Sequence, residues 1–409
     1  MAMGILRGTM AALTIAVASI SAAADDTPTS PAAGDAIFVN GFERMVWVQG
    51  YLAGYEQSLL PIGEIDFGAI THLMVSRERP LAGGTLSHDY DIDAVNGPIW
   101  AHSAVNAAHA AGRKAILMIG GACNLVGGVC WDMNWSDAAS PAYRATFVAN
   151  LLADVDAYGY DGLDLDWEPL DSASDRASLK ALAQALRAAR PNLLLTIPVG
   201  WFNPNYMTPD PYWNEIAPLV DRINVMTYDM AGSALQGWTG WKSWHNSALY
   251  NTNPPTAATP SAVDVSIRLG FRAAPASVPA AKLGMGVAFY GYCWRGVTGP
   301  GQTGGTTADH NDGVMSFANV VTQYPVATKR MWDATARVPY LSSSTAMGPQ
   351  NCNFVSYDDE QSVAEKGAYA RAQGLGSIII WTVGQGHIAS RPVGQRDPLL
   401  TALRNSLNQ

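Results

Sequence analysis

The sequence predicts an α/β fold of the (β/α)8 barrel class, the TIM barrel, and two observations predict it. From Met45 onwards, short apolar strands alternate with loops and amphipathic helices, which is the pattern of successive βαβ units. Eight such strands occur, which is the number that closes a barrel of this class. We predict that the barrel spans residues 44–409 and carries its functional residues at the C-terminal ends of its strands.

The eight predicted strands share a short apolar run that is followed by a loop. They span 45–49, 70–75, 114–119, 162–167, 193–198, 222–227, 283–289 and 377–381. Ser140 followed by Pro141 predicts the start of a helix, and Gly159 predicts its end. A second helix is predicted from Ser174 to the stop at Pro191.

A long segment between the seventh and eighth strands interrupts the alternation. It spans 292–353, is rich in Gly and Thr from Gly299 to Ala308, and is too long for an ordinary loop. We therefore predict a small α+β insertion subdomain that leaves the barrel at the C-terminal ends of the strands. Such an insertion would raise one wall of a cleft.

The N-terminal residues predict export of the chain. Arg7 precedes an apolar run from Met10 to Ile20, and the small residues Ala22 to Ala24 end it, as in a secretory signal peptide. We predict a signal peptide over 1–24, a linker or N-terminal tail over 25–43, and a secreted, extracellular mature chain. No later stretch has about 18 uninterrupted apolar residues, so no membrane partner is predicted.

The composition narrows the possible partners. A net charge of −9 without any basic run argues against nucleic acid. Charged residues make up 14% of the chain, whereas the 13 Trp and 16 Tyr suit stacking on sugars. The seven His lack the spacing of a metal motif, so we predict no metal and no cofactor, and we expect a monomer.

The four cysteines of an exported chain can pair in three ways. Cys123 and Cys130 bracket a Gly-rich loop, and Cys293 and Cys352 flank the predicted insertion. We predict the disulfides Cys123–Cys130 and Cys293–Cys352. Four buried free thiols are the alternative, which an oxidising compartment disfavours.

The fourth strand carries the strongest functional signal, Asp161-x-x-Asp164-x-Asp166-x-Glu168. Side chains alternate faces along a strand, so the last three acids point one way and the apolar residues between them point the other. Burying three carboxylates together costs several kcal/mol unless they share protons or hydrogen bonds, which favours a reaction as their purpose. A solvated acidic strand is one alternative, and it leaves the apolar opposite face unexplained. A divalent-metal cluster is another, and it would usually recruit His or further oxygen ligands nearby.

This motif resembles the fourth-strand signature DxxDxDxE of the chitinases of glycoside hydrolase family 18. The resemblance extends over nearly the whole mature chain. It includes MTYD at 226–229, the Gly and Tyr spacing of 283–291, the terminal Trp381 of the eighth strand, and NFVSYDDEQS at 353–362. It implies a (β/α)8 glycosidase that acts on chitin or chitooligosaccharides.

The resemblance also implies catalytic roles. Glu168 would protonate the glycosidic oxygen, and Asp166 would hold the substrate N-acetyl group, whose oxygen attacks the anomeric carbon. Asp164 would share a proton or hydrogen bond with Asp166. Tyr228 would donate to the acetamido carbonyl, and Asp229 would bind the sugar at the cleavage point.

Aromatic and apolar residues at the strand ends are implied to bind the sugar. The substrate-binding candidates are Tyr51, Met226, Trp238, Tyr290 and Trp381. Ordinary barrel core is the alternative for Met226 and Trp381. Among the tryptophans that follow the sixth strand, Trp238, Trp241 and Trp244, one is expected to stack on a sugar while the others pack. Trp131 and Trp135 are weaker candidates, and His245 is expected to be a loop hydrogen-bonding residue.

Other positions of the pattern are structural, and some depart from the family. Asp161, Gly120 and Gly121 belong to the structural part of the motif. Met118 stands where the family has a serine, which puts the hydrogen bonding of Asp164 in doubt. Arg77 stands where an aromatic residue often follows the second strand.

The resemblance thus predicts a secreted retaining chitinase that cleaves β-1,4-linked N-acetylglucosamine by substrate-assisted catalysis. One alternative is an endo-β-N-acetylglucosaminidase acting on glycans or peptidoglycan, which would use the same acids. Another is a chitin-binding lectin that has kept the barrel and lost catalysis. Loss of the acid at the position of Glu168 is the usual sign of such a lectin, and here the acid is present.

Overall fold

Eight parallel strands close into a barrel in the computed structural model. They are β1 (Trp47–Ala53), β2 (His72–Glu78), β3 (Lys114–Gly121), β4 (Gly162–Trp167), β5 (Leu194–Gly200), β6 (Arg222–Met226), β7 (Leu283–Ala288) and β8 (Ser377–Trp381). Each strand pairs with the next in chain order, and β8 pairs with β1. The structure describes residues 39–40, 44–122, 125–126, 129–130, 132–170, 172–230, 242–251, 261–309 and 313–408. The predicted barrel class is confirmed.

The first two strands lie further along the chain than their apolar runs suggest. The predicted 45–49 becomes Trp47–Ala53, and the predicted 70–75 becomes His72–Glu78. The ladder continues through the pairs Leu52 with Val75 and Ala53 with Ser76. Hydrogen bonding to a neighbouring strand extends β structure past the end of a hydrophobic run, and a single sequence does not contain that information.

The core lies in two layers, as the alternation of strand residues requires. Tyr51, Met74, Ile116, Met118 and Ile379 belong to a cluster that fills the barrel interior. The opposite faces of the strands pack against the helices in a second cluster, which includes the apolar residues of β4 and the helical Phe147, Leu151 and Leu179. The carboxyl-bearing face of β4 therefore points into the barrel.

The described α-helices are α1 (Asn96–Ala110), α2 (Trp135–Ala138), α3 (Arg144–Tyr158), α4 (Ala173–Ala189), α5 (Tyr212–Ile216), α6 (Phe317–Gln323), α7 (Val326–Lys329), α8 (Glu360–Ala372) and α9 (Pro398–Leu407), and a π-helix spans Val265–Phe271. Gly159 ends α3 in the left-handed conformation, as predicted. The Ser172 side chain caps α4, which ends at Ala189, just before Pro191.

The predicted start of α3 at Ser140 is wrong. The helix begins at Arg144 because residues 140–143 form a turn, in which the backbone N–H groups of Tyr143 and Arg144 donate to the Ser140 carbonyl. The Ser140 hydroxyl is buried without a hydrogen-bond partner and caps nothing. The Ser-Pro pair marks a turn here, which is its other common role.

The predicted α+β insertion follows β7 and contains a five-stranded antiparallel sheet. The strands occur in the order Thr306–Asp309, Tyr292–Arg295, Cys352–Ser356, Val338–Met347 and Arg330–Asp333, with α6 and α7 in the same segment. The predicted disulfide Cys293–Cys352 joins two neighbouring strands of this sheet and is confirmed. Cys123 lies outside the described residues, so the Cys123–Cys130 disulfide stays a prediction.

Residues 1–38 and 41–43, which include the predicted signal peptide, lie outside the described residues. Within the predicted tail, Val39–Asn40 pairs antiparallel with Arg44–Met45. Among the described helices, none combines the length and the hydropathy that crossing a membrane requires.

Candidate active site

The acidic residues of β4 lie at graded depths in the barrel. Asp164 is fully buried, Asp166 is 3% exposed, and Glu168, one residue beyond the strand, borders a cavity. On the neighbouring strand β3, Met118 is opposite Asp164 and Gly120 is opposite Asp166. The structure therefore brings the three predicted acids together on one inward face at the C-terminal end of the strand.

Asp164 is held by two hydroxyl groups from two other strands of the barrel. Tyr51 Oη on β1 donates to Asp164 Oδ2 at 2.6 Å, and Thr196 Oγ1 on β5 donates to Asp164 Oδ1. Burial raises the pKa of Asp164 to about 6, although both hydrogen bonds act to lower it. Both carboxyl oxygens of Asp164 thus accept a hydrogen bond within the protein.

Asp166 lies between the other two acids. Burial, together with the negative charges of Glu168 and Asp164, raises the pKa of Asp166 well above its usual range, and the positive charge of Arg77 opposes this rise. Asp166 Oδ1 is buried and has no hydrogen-bond partner. A buried polar atom without a partner is costly, so this oxygen is suited to a ligand that brings its own hydrogen-bonding group.

Glu168 borders the open space above the barrel. Burial raises its pKa to about 7, the charge of Asp229 adds to the rise, and a hydrogen bond with Asp166 and the charge of Arg77 oppose it. A carboxyl group with this pKa holds its proton for much of the time near neutral pH. It can therefore donate a proton to a bound molecule and take one back later.

The Tyr228-Asp229 pair follows β6 and faces the same space. Asp229 has a positive φ of 56°, and its Oδ1 accepts from Tyr290 Oη at 2.5 Å and from Tyr292 Oη at 2.7 Å. Burial raises the pKa of Tyr228 well above its usual range, so its hydroxyl remains a donor. The Tyr228 ring packs edge-on against Tyr290 with 6.1 Å between ring centroids.

Most of the predicted catalytic and substrate-binding residues line a cavity of about 330 Å³. Its lining residues are Met118, Ala122, Asp166, Glu168, Gly200, Trp201, Met226, Tyr228, Asp229, Tyr290 and Trp381. A second cavity of about 560 Å³ adjoins it and shares Glu168, Gly200 and Met226 with it. Met226 and Trp381 are each half-buried and face the first cavity, which distinguishes them from ordinary core.

Three further predicted residues, Gly120, Gly121 and Asp161, pack or hydrogen-bond within the protein, as the structural part of the motif predicts. A Cβ atom on Gly120, whose φ is +95°, would approach the Asp166 carbonyl oxygen to 2.3 Å. On Gly121 it would approach Met118 Cε to 2.8 Å. Asp161 accepts hydrogen bonds from Lys114 Nζ, the Ala115 N–H and His109 Nε2, and so fixes the start of β4 to β3 and α1.

Of the remaining tryptophan candidates, three lie outside the described residues and two pack within the protein. Trp238, Trp241 and Trp131 lie outside the described residues. Trp244 donates to the Ser261 carbonyl at 3.2 Å and packs in the core. Trp135 is buried and stacks on Trp167 with 5.0 Å between ring centroids, so its weak candidacy as a sugar contact is not supported. His245, as expected, hydrogen-bonds in its loop, with Asp333 Oδ2 at 3.0 Å.

Sequence reasoning missed three polar residues around the site. Thr196 could have been found from the sequence, because alternation along β5 places it on the inward face, opposite to Leu195 and Ile197. Tyr292 lies two residues after Tyr290, and both hydroxyls reach Asp229. Arg77 was noted only as a departure from the family, and its guanidinium donates to the carbonyls of Gly120 and Ala122.

The structure shows how Asp164 is hydrogen-bonded although Met118 replaces the serine of the family. Met118 Sδ accepts a hydrogen bond from Ser76 Oγ at 3.0 Å and contributes no hydroxyl to the acids. Thr196 and Tyr51 supply the hydroxyl groups that Asp164 needs. The hydrogen bonding of Asp164 is therefore complete without a serine at position 118.

The fold and the site together define a (β/α)8-barrel protein with an acidic cleft at the C-terminal ends of its strands. The family model described as glycosyl hydrolases family 18 matches residues 50–386. This chain belongs to that family. The family membership expected from the acidic motif of β4 is thereby confirmed.

Individual proteins are similar to this chain in sequence or in fold. Chitinase A1 of Niallia circulans is 34% identical over 287 residues, which cover 63% of this chain and 39% of that relative. The aligned region therefore spans less than half the length of that curated relative. Among solved structures, the Group IV chitinase of Ostrinia furnacalis has a TM-score of 0.70 at 22% identity, covering 89% of this chain and 100% of its own. A mutant class V chitinase from Nicotiana tobaccum in complex with NAG4 has a TM-score of 0.68 at 22% identity, covering 89% and 99%.

Proposed function

We propose that the protein is a secreted chitinase that hydrolyses β-1,4-linked N-acetylglucosamine with retention of configuration by substrate-assisted catalysis. The graded acids of β4 and its end carry this proposal: Asp164 accepts hydrogen bonds from two hydroxyls, Asp166 has an oxygen without a hydrogen-bond partner, and Glu168 has a raised pKa and borders the cavity. The sugar oligomer named with the tobacco relative supports chitooligosaccharides as the substrate class.

Glu168 is the general acid in this proposal. Its raised pKa of about 7 keeps the proton available at neutral pH, and the residue borders both cavities, so a glycosidic bond lying between them would be within its reach. After the leaving sugar departs, the same carboxylate accepts a proton from the attacking water.

Asp166 is the residue that holds the substrate acetamido group. Its free Oδ1 is an acceptor for the acetamido N–H, which would orient the acetamido oxygen toward the anomeric carbon. In substrate-assisted hydrolysis this oxygen, and no protein carboxylate, forms the bond to the anomeric carbon, and water then opens the cyclic intermediate. Tyr228 donates to the acetamido oxygen, and Asp229 accepts from a sugar hydroxyl.

The cavity walls complete the proposed binding site. Tyr51 packs against Trp381 with 5.5 Å between ring centroids, and Trp381 and Met226 present apolar surface beneath the space that Glu168 borders. A pyranose ring has an apolar face that stacks on such a surface. Tyr290 contributes through Asp229, which it fixes.

Hydrolysis of chitin oligosaccharides by the wild type and by Glu168→Gln tests the proposal. We expect the β-anomer as the first product and a loss of about a hundredfold or more in kcat for the variant, the order expected when a general acid is removed. Glu360→Gln is the matched control, because Glu360 is exposed on α8. Oligosaccharide binding without faster cleavage by the wild type than by Glu168→Gln would favour the lectin, and cleavage of glycoprotein glycans alone would favour the endo-β-N-acetylglucosaminidase.

We also propose that residues 1–24 are removed on export and that 25–43 link the signal to the barrel. The support is the arrangement of Arg7, the apolar run and the small residues that follow it. Mass spectrometry of the protein recovered from the medium should give an N-terminus at Asp25. An intact N-terminus on protein retained in the cell would contradict export.

A further inference from the structure

A second acidic cluster lies outside the proposed active site, between β2 and α3. Glu78 is the last residue of β2, His88 lies in the loop that follows, and Asp154 is on α3. One ligand atom from each of these residues can be chosen so that all three lie within 4.8 Å of one another. The three residues lie on different elements of the fold, so no spacing motif in the sequence predicts that they meet.

The charges of this cluster are not balanced by arginine or lysine. The Glu78 side chain is fully buried, the Asp154 side chain is 12% exposed, and among the described residues only His88 forms an ion pair with either. Glu78 Oε2 and Asp154 Oδ2 are both buried and accept no hydrogen bond from a nitrogen of the described residues, while the two carboxyl groups interact with each other and Tyr90 interacts with Glu78. Buried carboxylates normally have a cationic partner or coordinate a metal.

The two separations that involve His88 suit coordination of a small divalent ion. His88 Nδ1 lies 3.3 Å from Glu78 Oε1 and 3.7 Å from Asp154 Oδ2. Ligands held at about 2.0–2.2 Å around a tetrahedral Zn²⁺ lie roughly 3.4 Å from one another. The His88 side chain is 47% exposed, which gives an ion a route from solvent and leaves room for a water ligand.

We propose that Glu78, His88 and Asp154 form a binding site for a divalent transition-metal cation of the Zn²⁺ type. One imidazole and two carboxylates are ligands that Zn²⁺ accepts, and their two negative charges balance the ion. Ca²⁺ fits less well because it requires six to eight oxygen ligands. The site is distinct from the proposed active site, and metal binding there would revise the expectation, drawn from the spacing of the histidines, that the chain has no metal.

The site would brace the loop that follows β2. This loop carries Asp91, which pairs with Arg77 at 2.9 Å, and Arg77 donates to the Gly120 carbonyl beside the acids. A cation that ties the loop to α3 would therefore stabilise the fold near the active site. It would take no part in the hydrolysis.

Direct titration of the untagged, EDTA-treated mature chain with Zn²⁺ tests the proposal, by calorimetry and by metal analysis after dialysis. We expect one Zn²⁺ per chain, an affinity at least about a hundredfold lower in His88→Asn, and weaker binding of Ca²⁺ than of Zn²⁺ by the wild type. His102→Asn is the matched control, because His102 is an exposed histidine on α1 outside the cluster, and this variant should bind like the wild type.

The named variants also separate this proposal from its competitors. His88→Asn changes a half-exposed side chain, so this variant should fold even where Glu78→Gln, a change in the core, fails to fold. Equal Zn²⁺ affinity in the wild type and His88→Asn overturns the proposal and leaves Glu78 and Asp154 as a pair that shares a proton. Tighter binding of Ca²⁺ than of Zn²⁺ overturns the assignment of the cation class. Because the measurement is binding, it stands apart from the outcome for chitin hydrolysis.

Discussion

Hydrogen bonding and burial give the three acids of β4 different properties, although they have nearly the same chemistry. Asp164 and Glu168 both have raised pKa values, of about 6 and about 7, and burial is the largest cause for each. Only Asp164 is held by two hydroxyl donors, from Tyr51 and Thr196. The environment of each carboxyl group therefore decides which one keeps its proton near neutral pH.

Thr196→Val should shift the acid limb of the pH profile of kcat/KM, which we expect to report the ionisation of Asp164. The alkaline limb should lie near pH 7 in the wild type, because activity falls as Glu168 loses the proton it must donate. Thr196→Val removes a hydrogen bond that lowers the pKa of Asp164, so that pKa rises and the acid limb moves to higher pH, by on the order of one pH unit.

Thr196→Ser is the control for this experiment, since it keeps the hydroxyl and should leave the acid limb in place. The alkaline limb should not move in either variant. An acid limb that stays fixed in Thr196→Val would show that ionised Asp164 is not required.

At the scale of secondary-structure elements, β3 and β4 pack in close contact. Gly120 has a φ of +95° and lies opposite Asp166 in the register of the two strands. A side chain here would meet the Asp166 carbonyl oxygen at 2.3 Å and Trp135 Nε1 at 2.5 Å. The glycine therefore allows the strand that carries the acids to pack directly against its neighbour and against Trp135.

Gly120→Ala should destabilise the protein strongly. Gly112→Ala is the matched control, because Gly112 also has a positive φ, of +68°, but nothing lies within 4 Å of an added Cβ. The control should lose about 1–2 kcal/mol from the left-handed backbone alone, and Gly120→Ala should lose roughly 1–3 kcal/mol more from steric overlap. Urea unfolding measures both, and equal losses would contradict the steric argument.

At the scale of the whole molecule, the insertion contributes to the site through one strand. Tyr292 begins the strand Tyr292–Arg295, and its hydroxyl donates to Asp229 at 2.7 Å. The next residue, Cys293, forms the disulfide with Cys352 across a sequence separation of 59. The covalent link therefore lies beside the residue that connects the inserted sheet to the cleft.

Replacing Cys293 and Cys352 together by Ser should lower the free energy of unfolding by about 4 kcal/mol, because the unfolded chain regains the entropy of a long open loop. Urea unfolding gives the loss, and the KM for chitin oligosaccharides should rise because Tyr292 is held less firmly against Asp229. Ser344→Ala, at an exposed position of the same sheet, should change neither quantity. An unfolding curve identical to that of the wild type would contradict this role for the disulfide.

The sequence by itself determined the barrel class, the insertion after β7 and the residues on the inward face of β4. These features depend on local periodicity, and alternation along one strand assigns Asp164 and Asp166 to the same face without any knowledge of distant residues. Glycine and proline likewise marked the ends of α3 and α4, which are local backbone effects.

Only the tertiary structure decided which distant residues meet these acids. Thr196 reaches Asp164 because β4 and β5 pair in one register, and Glu78, His88 and Asp154 meet because α3 packs beside the loop after β2. The pKa of each carboxyl group also depends on its burial, which exists only once the barrel has closed. Contacts and desolvation are properties of the packed chain, so no periodicity in the sequence could have predicted them.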